Sequence, residues 1–351
     1  MILPVFYHKS DKYANTGRPR ILYPKSPLDI CVRIRFNKSK RRCSPMKNQT
    51  QKRAFYVLTG CIAALALCIA AALAPLCRTP AAQDVSIPGT RGTIYATVQL
   101  PGKLARSGDM PLAVLCHGFT GSRAGDGHFA PLAQELAAQG IATVRLDFPG
   151  CGDSTELFTA YTLSNMADDV ESAILYMQST YGTGPTALVG HSMGGRLASL
   201  YPQQKGGIAA LVLWSPANGA GLNGLEFLNI DDFSAVEAMA AEAEANGSVT
   251  AWGVELSAAY MDEMRTSDPN AALRESALPT LLTYSGSEGI LSSTTQAETI
   301  AAVQSLPDGQ VVLDSFAAGN HNYLSDDPAT AAALDKALRQ TTVRFLTQYL
   351  G

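Results

Sequence analysis

Beyond residue 90, the sequence alternates between short apolar runs and longer segments whose apolar residues recur every three or four positions. The short runs, such as residues 112–116 and 142–148, lack regular polar alternation, which is typical of strands buried on both faces of a sheet. The longer segments, Phe129–Ala138 and residues 164–180, have one apolar face and predict amphipathic helices. Strands that alternate with helices predict an α/β fold with a mostly parallel central sheet and helices on both of its faces.

The same patterns predict the other elements of a folded domain over residues 91–351. Residues 93–100 alternate between apolar and polar positions and predict an edge strand. Further apolar runs predict three more strands and a final helix: Ala210–Trp214, Thr280–Tyr284, residues 311–316 and residues 328–349.

Residues 215–278 interrupt this alternation, because the interval is too long for a loop. Helical patterns at residues 233–245 and 254–265 predict an inserted cap over about residues 216–278. The insertion leaves the carboxyl end of a predicted strand, which is the edge where open α/β sheets bind ligands. We therefore expect the cap to cover the functional site.

Residues 186–198, TALVGHSMGGRLA, carry a G-x-S-x-G pattern centred on Ser192. The segment begins as a buried strand, turns at residues 190–194 and continues as small and apolar residues suited to a closely packed helix. This strand–turn–helix setting is that of a nucleophile elbow, and its flanking glycines avoid clashes on a strained turn. Ser192 is therefore the candidate nucleophile.

A serine hydroxyl needs a base within hydrogen-bond reach, and elimination points to one of the five histidines. His8 lies in the N-terminal segment, His117 and His191 belong to turn motifs, and His128 begins a helix. His321 lies in the loop after the last predicted strand. We expect His321 to be the base.

The developing negative charge of an acyl-transfer reaction needs two backbone amides as donors. One is expected from Met193, the residue after the candidate nucleophile. The other is expected from Phe119, in the loop after the strand that ends at Cys116. Gly118 and Gly121 allow that loop to fold tightly.

Four segments together resemble the α/β-hydrolase superfamily, and bacterial feruloyl or cinnamoyl-type serine esterases in particular. They are HGFTGS at residues 117–122, RLDFPGCGDS at residues 145–154, LVGHSMGG at residues 188–195 and AAGNHNYLSDDP at residues 317–328. The resemblance covers residues 93–350 and implies a Ser–acid–His order along the chain. The sequence departs from the pattern at Cys151, where relatives usually have histidine, and in a turn that is one residue short.

That short turn contains the candidate acid. The common pattern G-x-x-D, counted from Gly286, reaches Gly289, which has no carboxyl group. A one-residue deletion in the turn aligns Glu288 with the acid, and the longer glutamate side chain can compensate. Asp314 is the reserve candidate and Asp268 a distant third.

The N-terminal part predicts export. Residues 1–53 are basic and interrupted by proline, which predicts disorder, and Met46 is an alternative start because a conventional export signal follows it. The apolar residues 54–74 can span a bilayer as an anchor or serve as the core of a cleaved signal. Preceding positive charge predicts a single-pass membrane protein with its catalytic domain outside the cytoplasm, or a secreted one after cleavage. Residues 75–90 are expected to be a linker.

Charge and cysteine usage exclude several other functions. Residues 1–53 contain fourteen Lys and Arg and two acids, whereas the rest contains 13 basic and 28 acidic residues. Such an acidic body is a poor nucleic-acid binder. Cys116 and Cys151 have no C-x-x-C spacing and no clustered histidines beside them, so we expect no disulfide scaffold, metal or cofactor.

These features predict an exported serine carboxylesterase that hydrolyses small acyl or aromatic esters through an acyl-enzyme. Its partner would be a small-molecule ester. A thioesterase or acyltransferase with the same triad is one alternative, and a hydrolase-fold binding protein with weak or no activity is another.

Overall fold

The computed structural model describes residues 81–102, 109–229 and 232–351. They belong to one of the two compact units of the chain, residues 66–351. The predicted basic segment 1–53 and the predicted apolar span 54–74 lie outside the described residues. Across the ranges that are described, no helix is both long and apolar enough to cross a membrane.

The core of the fold is an eight-stranded sheet. The described strands are β1 (Gln83–Pro88), β2 (Thr93–Gln99), β3 (Met110–Cys116), β4 (Ala142–Leu146), β5 (Thr183–His191), β6 (Ala210–Trp214), β7 (Ser248–Ala251), β8 (Val254–Ser257), β9 (Thr280–Tyr284) and β10 (Val311–Ser315). Their order in the sheet is β1-β2-β4-β3-β5-β6-β9-β10. β2 pairs antiparallel with β1 and β4, and the other neighbours are parallel. This is the mostly parallel sheet that the sequence predicts.

Helices cover both faces of the sheet. The described helices are α1 (Phe129–Ala138), α2 (Leu163–Tyr181), α3 (Met193–Gln204), α4 (Phe233–Asn246), α5 (Ala258–Thr266), α6 (Pro269–Ser276), α7 (Ser293–Gln304) and α8 (Pro328–Leu350). Alternate residues of each strand enter opposite cores: Leu188 of β5 packs with α2 and α3, and Val189 packs with α1 and α8. Parallel strands buried on both faces explain their continuous apolar runs.

Three local predictions are wrong. The predicted linker at residues 75–90 contains β1, which is polar because it is an edge strand whose only buried side chain is Ile87. β1 also covers β2, so β2 is not the edge. The predicted helix over residues 254–265 begins instead as β8, which pairs with β7 through a tight turn at Trp252 and Gly253.

The inserted cap contains α4, the β7–β8 hairpin, α5 and α6, and a buried arginine joins it to α3. The Arg196 side chain is fully buried and donates hydrogen bonds to the carbonyl oxygens of Ala217 and Gly219 at 2.9 and 2.7 Å. It also donates to the hydroxyl oxygen of Ser267, after α5, at 2.8 Å. Burial lowers the pKa of Arg196 to about 10. Both ends of the cap are thus fixed to the helix that follows Ser192.

Candidate active site

Ser192 occupies a strained turn between β5 and α3. Its backbone angles are φ 54° and ψ −117°, which a non-glycine residue rarely adopts. A side chain at Gly190 would collide with the backbone of Gly194, and one at Gly194 would collide with the backbone of Cys116. The glycines of the G-x-S-x-G pattern are therefore required by the close packing of β5, α3 and β3.

The structure places Glu288 against His321. The Nδ1 atom of His321 lies 2.7 Å from Oε1 of Glu288, which also accepts hydrogen bonds from the backbone amides of Ile290 and Leu291. Burial alone would raise the pKa of Glu288, but the hydrogen bonds from His321 and the two amides outweigh it and lower the pKa. A charged carboxylate at this position favours the tautomer with hydrogen on Nδ1 and leaves Nε2 free to accept a proton.

The other two candidate acids have structural partners instead. Asp314 on β10 accepts a hydrogen bond from the Thr341 hydroxyl at 2.8 Å. Asp268 caps the first turn of α6 by accepting from the amide of Ala271 at 3.0 Å. Neither carboxyl contacts His321 within the described part of the chain.

The loop that carries His321 is held by side chains that sequence reasoning did not assign to the site. His191 donates from Nε2 to the carbonyl oxygen of His321 at 3.1 Å, and His128 donates to that of Asn322 at 2.9 Å. The Tyr323 hydroxyl donates to the carbonyl oxygen of Thr283, at the end of β9, at 3.0 Å. From the sequence alone, His191 is only part of a turn motif and His128 is only the start of a helix.

The two candidate oxyanion amides lie in segments that meet at Ser192. Met193 is the first residue of α3, where amides have no partner within the helix. The loop that carries Phe119 packs on Ser192, since a Cβ added to Gly118 would lie 3.0 Å from the Ser192 Cβ. Within the described chain, neither the Phe119 nor the Met193 amide donates a hydrogen bond. Both are available to a substrate oxygen.

His117 fixes the backbone of the Phe119 loop. Its Nδ1 atom donates to the carbonyl oxygen of Gly118 at 2.7 Å, and its Nε2 atom accepts from the amide of Phe148 at 3.1 Å. This pattern requires a neutral ring, and burial lowers the pKa of His117 to about 4. The Arg123 side chain, further along the same loop, pairs with the buried Asp147.

Ser192 and His321 line one cavity of about 390 Å³ beneath the cap. Three aromatic rings form its apolar part: the Phe227 ring lies 5.1 Å from Phe119 and 5.3 Å from Trp252, between ring centroids. Trp252, in the turn of the β7–β8 hairpin, is 54% exposed. In the described ranges, no group of three or more His, Cys, Asp or Glu residues could hold a metal ion.

The mostly parallel sheet and the strained strand–turn–helix at Ser192 are typical of α/β hydrolases. The chain belongs to the alpha/beta hydrolase family, whose model matches residues 113–347. No curated protein matches the chain in sequence.

Solved structures agree with this fold. Est1E from Butyrivibrio proteoclasticus, determined with ferulic acid bound, is 19% identical and covers 75% of this chain and 99% of its own, with a TM-score of 0.59. The esterase Pf2001 from Pyrococcus furiosus is 14% identical over 77% of this chain and 91% of its own, with a TM-score of 0.53. The esterase domain of a Rhodothermus marinus protein is 18% identical over 77% of this chain and all of its own, with a TM-score of 0.53.

Proposed function

We propose that the protein is a serine carboxylesterase that hydrolyses small acyl or aromatic esters through an acyl-enzyme. The observation that carries the proposal is the 2.7 Å contact between His321 Nδ1 and Glu288 Oε1 at the cavity that Ser192 also lines. Membership of the alpha/beta hydrolase family supports the reaction class. The assignment of each catalytic role is part of the proposal.

The first half of the reaction acylates the enzyme. The Ser192 hydroxyl gives its proton to His321 Nε2, and its oxygen attacks the ester carbonyl carbon. The amides of Phe119 and Met193 hold the resulting oxyanion, and Glu288 stabilises the imidazolium. His321 then gives the proton to the alcohol oxygen as its bond to the acyl carbon breaks.

Hydrolysis of the acyl-enzyme repeats these steps with water in place of serine. His321 removes a proton from the water, whose oxygen attacks the acyl carbon. When the second tetrahedral intermediate collapses, the bond from the acyl carbon to the Ser192 oxygen breaks and the proton returns to that oxygen. The carboxylic acid product leaves and the free enzyme is restored.

The aromatic part of the cavity supports apolar or aromatic acyl groups as substrates. Rings of Phe119, Phe227 and Trp252 give edge and face contacts of the kind that aromatic groups prefer. The fold neighbour Est1E was determined with ferulic acid, an aromatic acid. We therefore expect aromatic acyl esters to be better substrates than acetyl esters.

Active-site labelling tests the proposed nucleophile. The catalytic domain is treated with a fluorophosphonate, and the labelled peptide is identified by mass spectrometry. Labelling of Ser192, its absence in Ser192→Ala, and hydrolysis of a panel of acetyl, butyryl and cinnamoyl esters support the proposal. An acyl-thioester panel separates esterase from thioesterase. Failure of Ser192 to react, with no ester hydrolysed, would leave the binding-protein alternative.

The location outside the cytoplasm is proposed from the sequence alone. The apolar residues 54–74 follow a positively charged segment, which favours export of the domain that follows. Protease added to intact cells that express the full chain should digest the catalytic domain but spare a cytoplasmic marker. Protection of the domain until the cells are lysed would contradict this orientation.

A further inference from the structure

Asp126 lies at the mouth of the candidate active-site cavity. It belongs to the 3-10 turn Gly125–Gly127, between the Phe119 loop and α1, and lines the same cavity as Ser192 and His321. Its backbone has φ 52°, a left-handed conformation that aspartate and asparagine tolerate better than most side chains. The turn thus presents a carboxyl group at the cavity that Ser192 and His321 line.

The Asp126 carboxyl has no hydrogen-bond or ion-pair partner within the described chain, unlike its neighbours. Glu288 is bound to His321, Asp147 to Arg123, and Asp335 to His128. Asp126 is exposed to solvent. Partial burial of its carboxyl group by the surrounding protein raises its pKa, and the nearby His128 and His321 reduce this shift. A carboxyl group without a partner in the lining of the cavity that Ser192 also lines is available to a ligand.

The rest of the cavity does not neutralise this charge. Among the described residues that line it, there is no lysine or arginine. His117 and His191 are held neutral, because burial lowers the pKa of their rings to about 4 and about 3. The aromatic faces of Phe227 and Trp252 also attract cations. Among the described residues that line the cavity, no lysine or arginine therefore offsets the Asp126 carboxylate.

We infer that Asp126 is a specificity-determining residue, which makes the site favour esters that carry a positive charge near the ester bond and disfavour anionic ones. The inference rests on the proposed esterase function and names its substrate class. A unit charge about 10 Å from a carboxylate, at the effective dielectric of a protein surface, changes binding by about tenfold. Acyl carriers that bear phosphate groups fall into the disfavoured class.

The test compares esters that have matched shape and different charge. On the alcohol side, the probes are the butyrate esters of choline, of its uncharged analogue 3,3-dimethylbutanol and of isethionate. On the acyl side, they are the 4-nitrophenyl esters of 4-(trimethylammonio)butyrate, 5,5-dimethylhexanoate and 4-sulfobutanoate. Each kcat/KM is divided by that of the uncharged ester of its set, at about pH 8 and low ionic strength, so that general losses of activity cancel.

The variant is Asp126→Asn, which removes the charge and keeps a side chain suited to the left-handed turn. The matched control is Asp308→Asn, which removes one exposed charge outside the cavity lining. In at least one set, the wild type and the control should prefer the cationic ester over the anionic one. Asp126→Asn should reduce that cation-to-anion ratio by about a hundredfold, because the cationic ester loses about tenfold and the anionic ester gains about tenfold.

The possible outcomes separate the two proposals. If the wild type hydrolyses uncharged esters but Asp126→Asn keeps the wild-type ratio within about twofold in both sets, the charge inference is overturned and the esterase stands. An equal loss of the ratio in Asp308→Asn would also overturn it, because the effect would come from net charge. If the wild type hydrolyses no ester and Ser192 is not labelled, both proposals fail.

Discussion

Two walls of the same cavity are built in different ways. The proposed catalytic wall, which consists of Ser192, His321 and the Glu288 carboxylate that binds His321, is mostly buried and fixed by hydrogen bonds and backbone packing. The rim, which consists of Asp126 and Trp252, is exposed and lies on two tight turns. A change to Glu288 or His321 breaks the hydrogen bond between them, whereas Asp126 has no such bond within the described chain and Trp252 has only ring contacts. The comparison suggests that chemistry and substrate choice are carried by separate parts of the site.

The largest expected effect is on the catalytic wall. Ser192→Ala and His321→Ala should each lower kcat by about 10⁴-fold or more, because residues that act as a unit lose their function together. For the same reason, the kcat of the double variant should lie within about tenfold of the kcat of either single variant. Single-turnover kinetics with a cinnamoyl ester measures all three. Multiplicative losses in the double variant would show that the two side chains act independently.

The next effect distinguishes the candidate acids. Glu288→Gln keeps the shape of the side chain but removes the charge that stabilises the imidazolium, so kcat should fall by about 10³–10⁴-fold. Asp314→Asn is the matched control and should change kcat by less than about twofold, since its carboxyl binds Thr341. A large loss in Asp314→Asn with little loss in Glu288→Gln would reverse the assignment.

A smaller effect concerns stability and pH. Burial lowers the folded-state pKa of His117 to about 4, below its ordinary value of 6.5. Between these values the unfolded chain takes up a proton that the folded chain does not, so acidification destabilises the fold. In the wild type, this proton uptake lowers the free energy of unfolding by about 1.4 kcal/mol for each pH unit of acidification between these values. His117→Gln should remove that contribution.

Urea unfolding at several pH values between about 7 and 4 measures the effect. The rim variant Trp252→Ala should follow the pH slope of the wild type, since its side chain does not titrate. If His117→Gln keeps the wild-type slope, His117 is not a source of the acid sensitivity.

The smallest effect belongs to the rim. Trp252→Ala removes an exposed ring from the cavity, so KM for an aromatic ester should rise by about threefold to tenfold while kcat stays within about twofold. Trp252→Phe keeps a ring and should recover most of the lost affinity. Steady-state kinetics with cinnamoyl and butyryl esters tests this. A drop in kcat as large as that of Glu288→Gln would remove the distinction between the two walls.

The strand–turn–helix at Ser192 can be predicted from the sequence because its constraints are local. The turn at Ser192 requires glycines two positions away on each side, so it leaves a pattern within five residues. The parallel strands leave continuous apolar runs because both of their faces are buried. Glu288 could be placed because the order of elements leaves few acids near the end of β9.

The rest depends on contacts that leave no local pattern. His128 and Asp335 form a pair although they are 207 residues apart in the sequence, and no local pattern around either residue predicts this contact. β1 has a single fully buried side chain, so its pairing with β2 leaves no apolar run. Asp126 is an acidic residue in a turn, which is common at any surface. Its placement in the cavity follows from the tertiary fold.

The contacts of Arg196 have a consequence for the order in which the domain comes apart. A cap joined to the sheet by loops alone could open or unfold by itself while the body stays folded. Here the guanidinium of Arg196, on α3, donates hydrogen bonds to carbonyl oxygens at the start of the cap and to the hydroxyl oxygen of Ser267 near its end. Release of the cap would break these hydrogen bonds together and separate the apolar contacts around the guanidinium. The cap and the body should therefore form one cooperative folding unit, in which amide hydrogens of both exchange with solvent at similar rates.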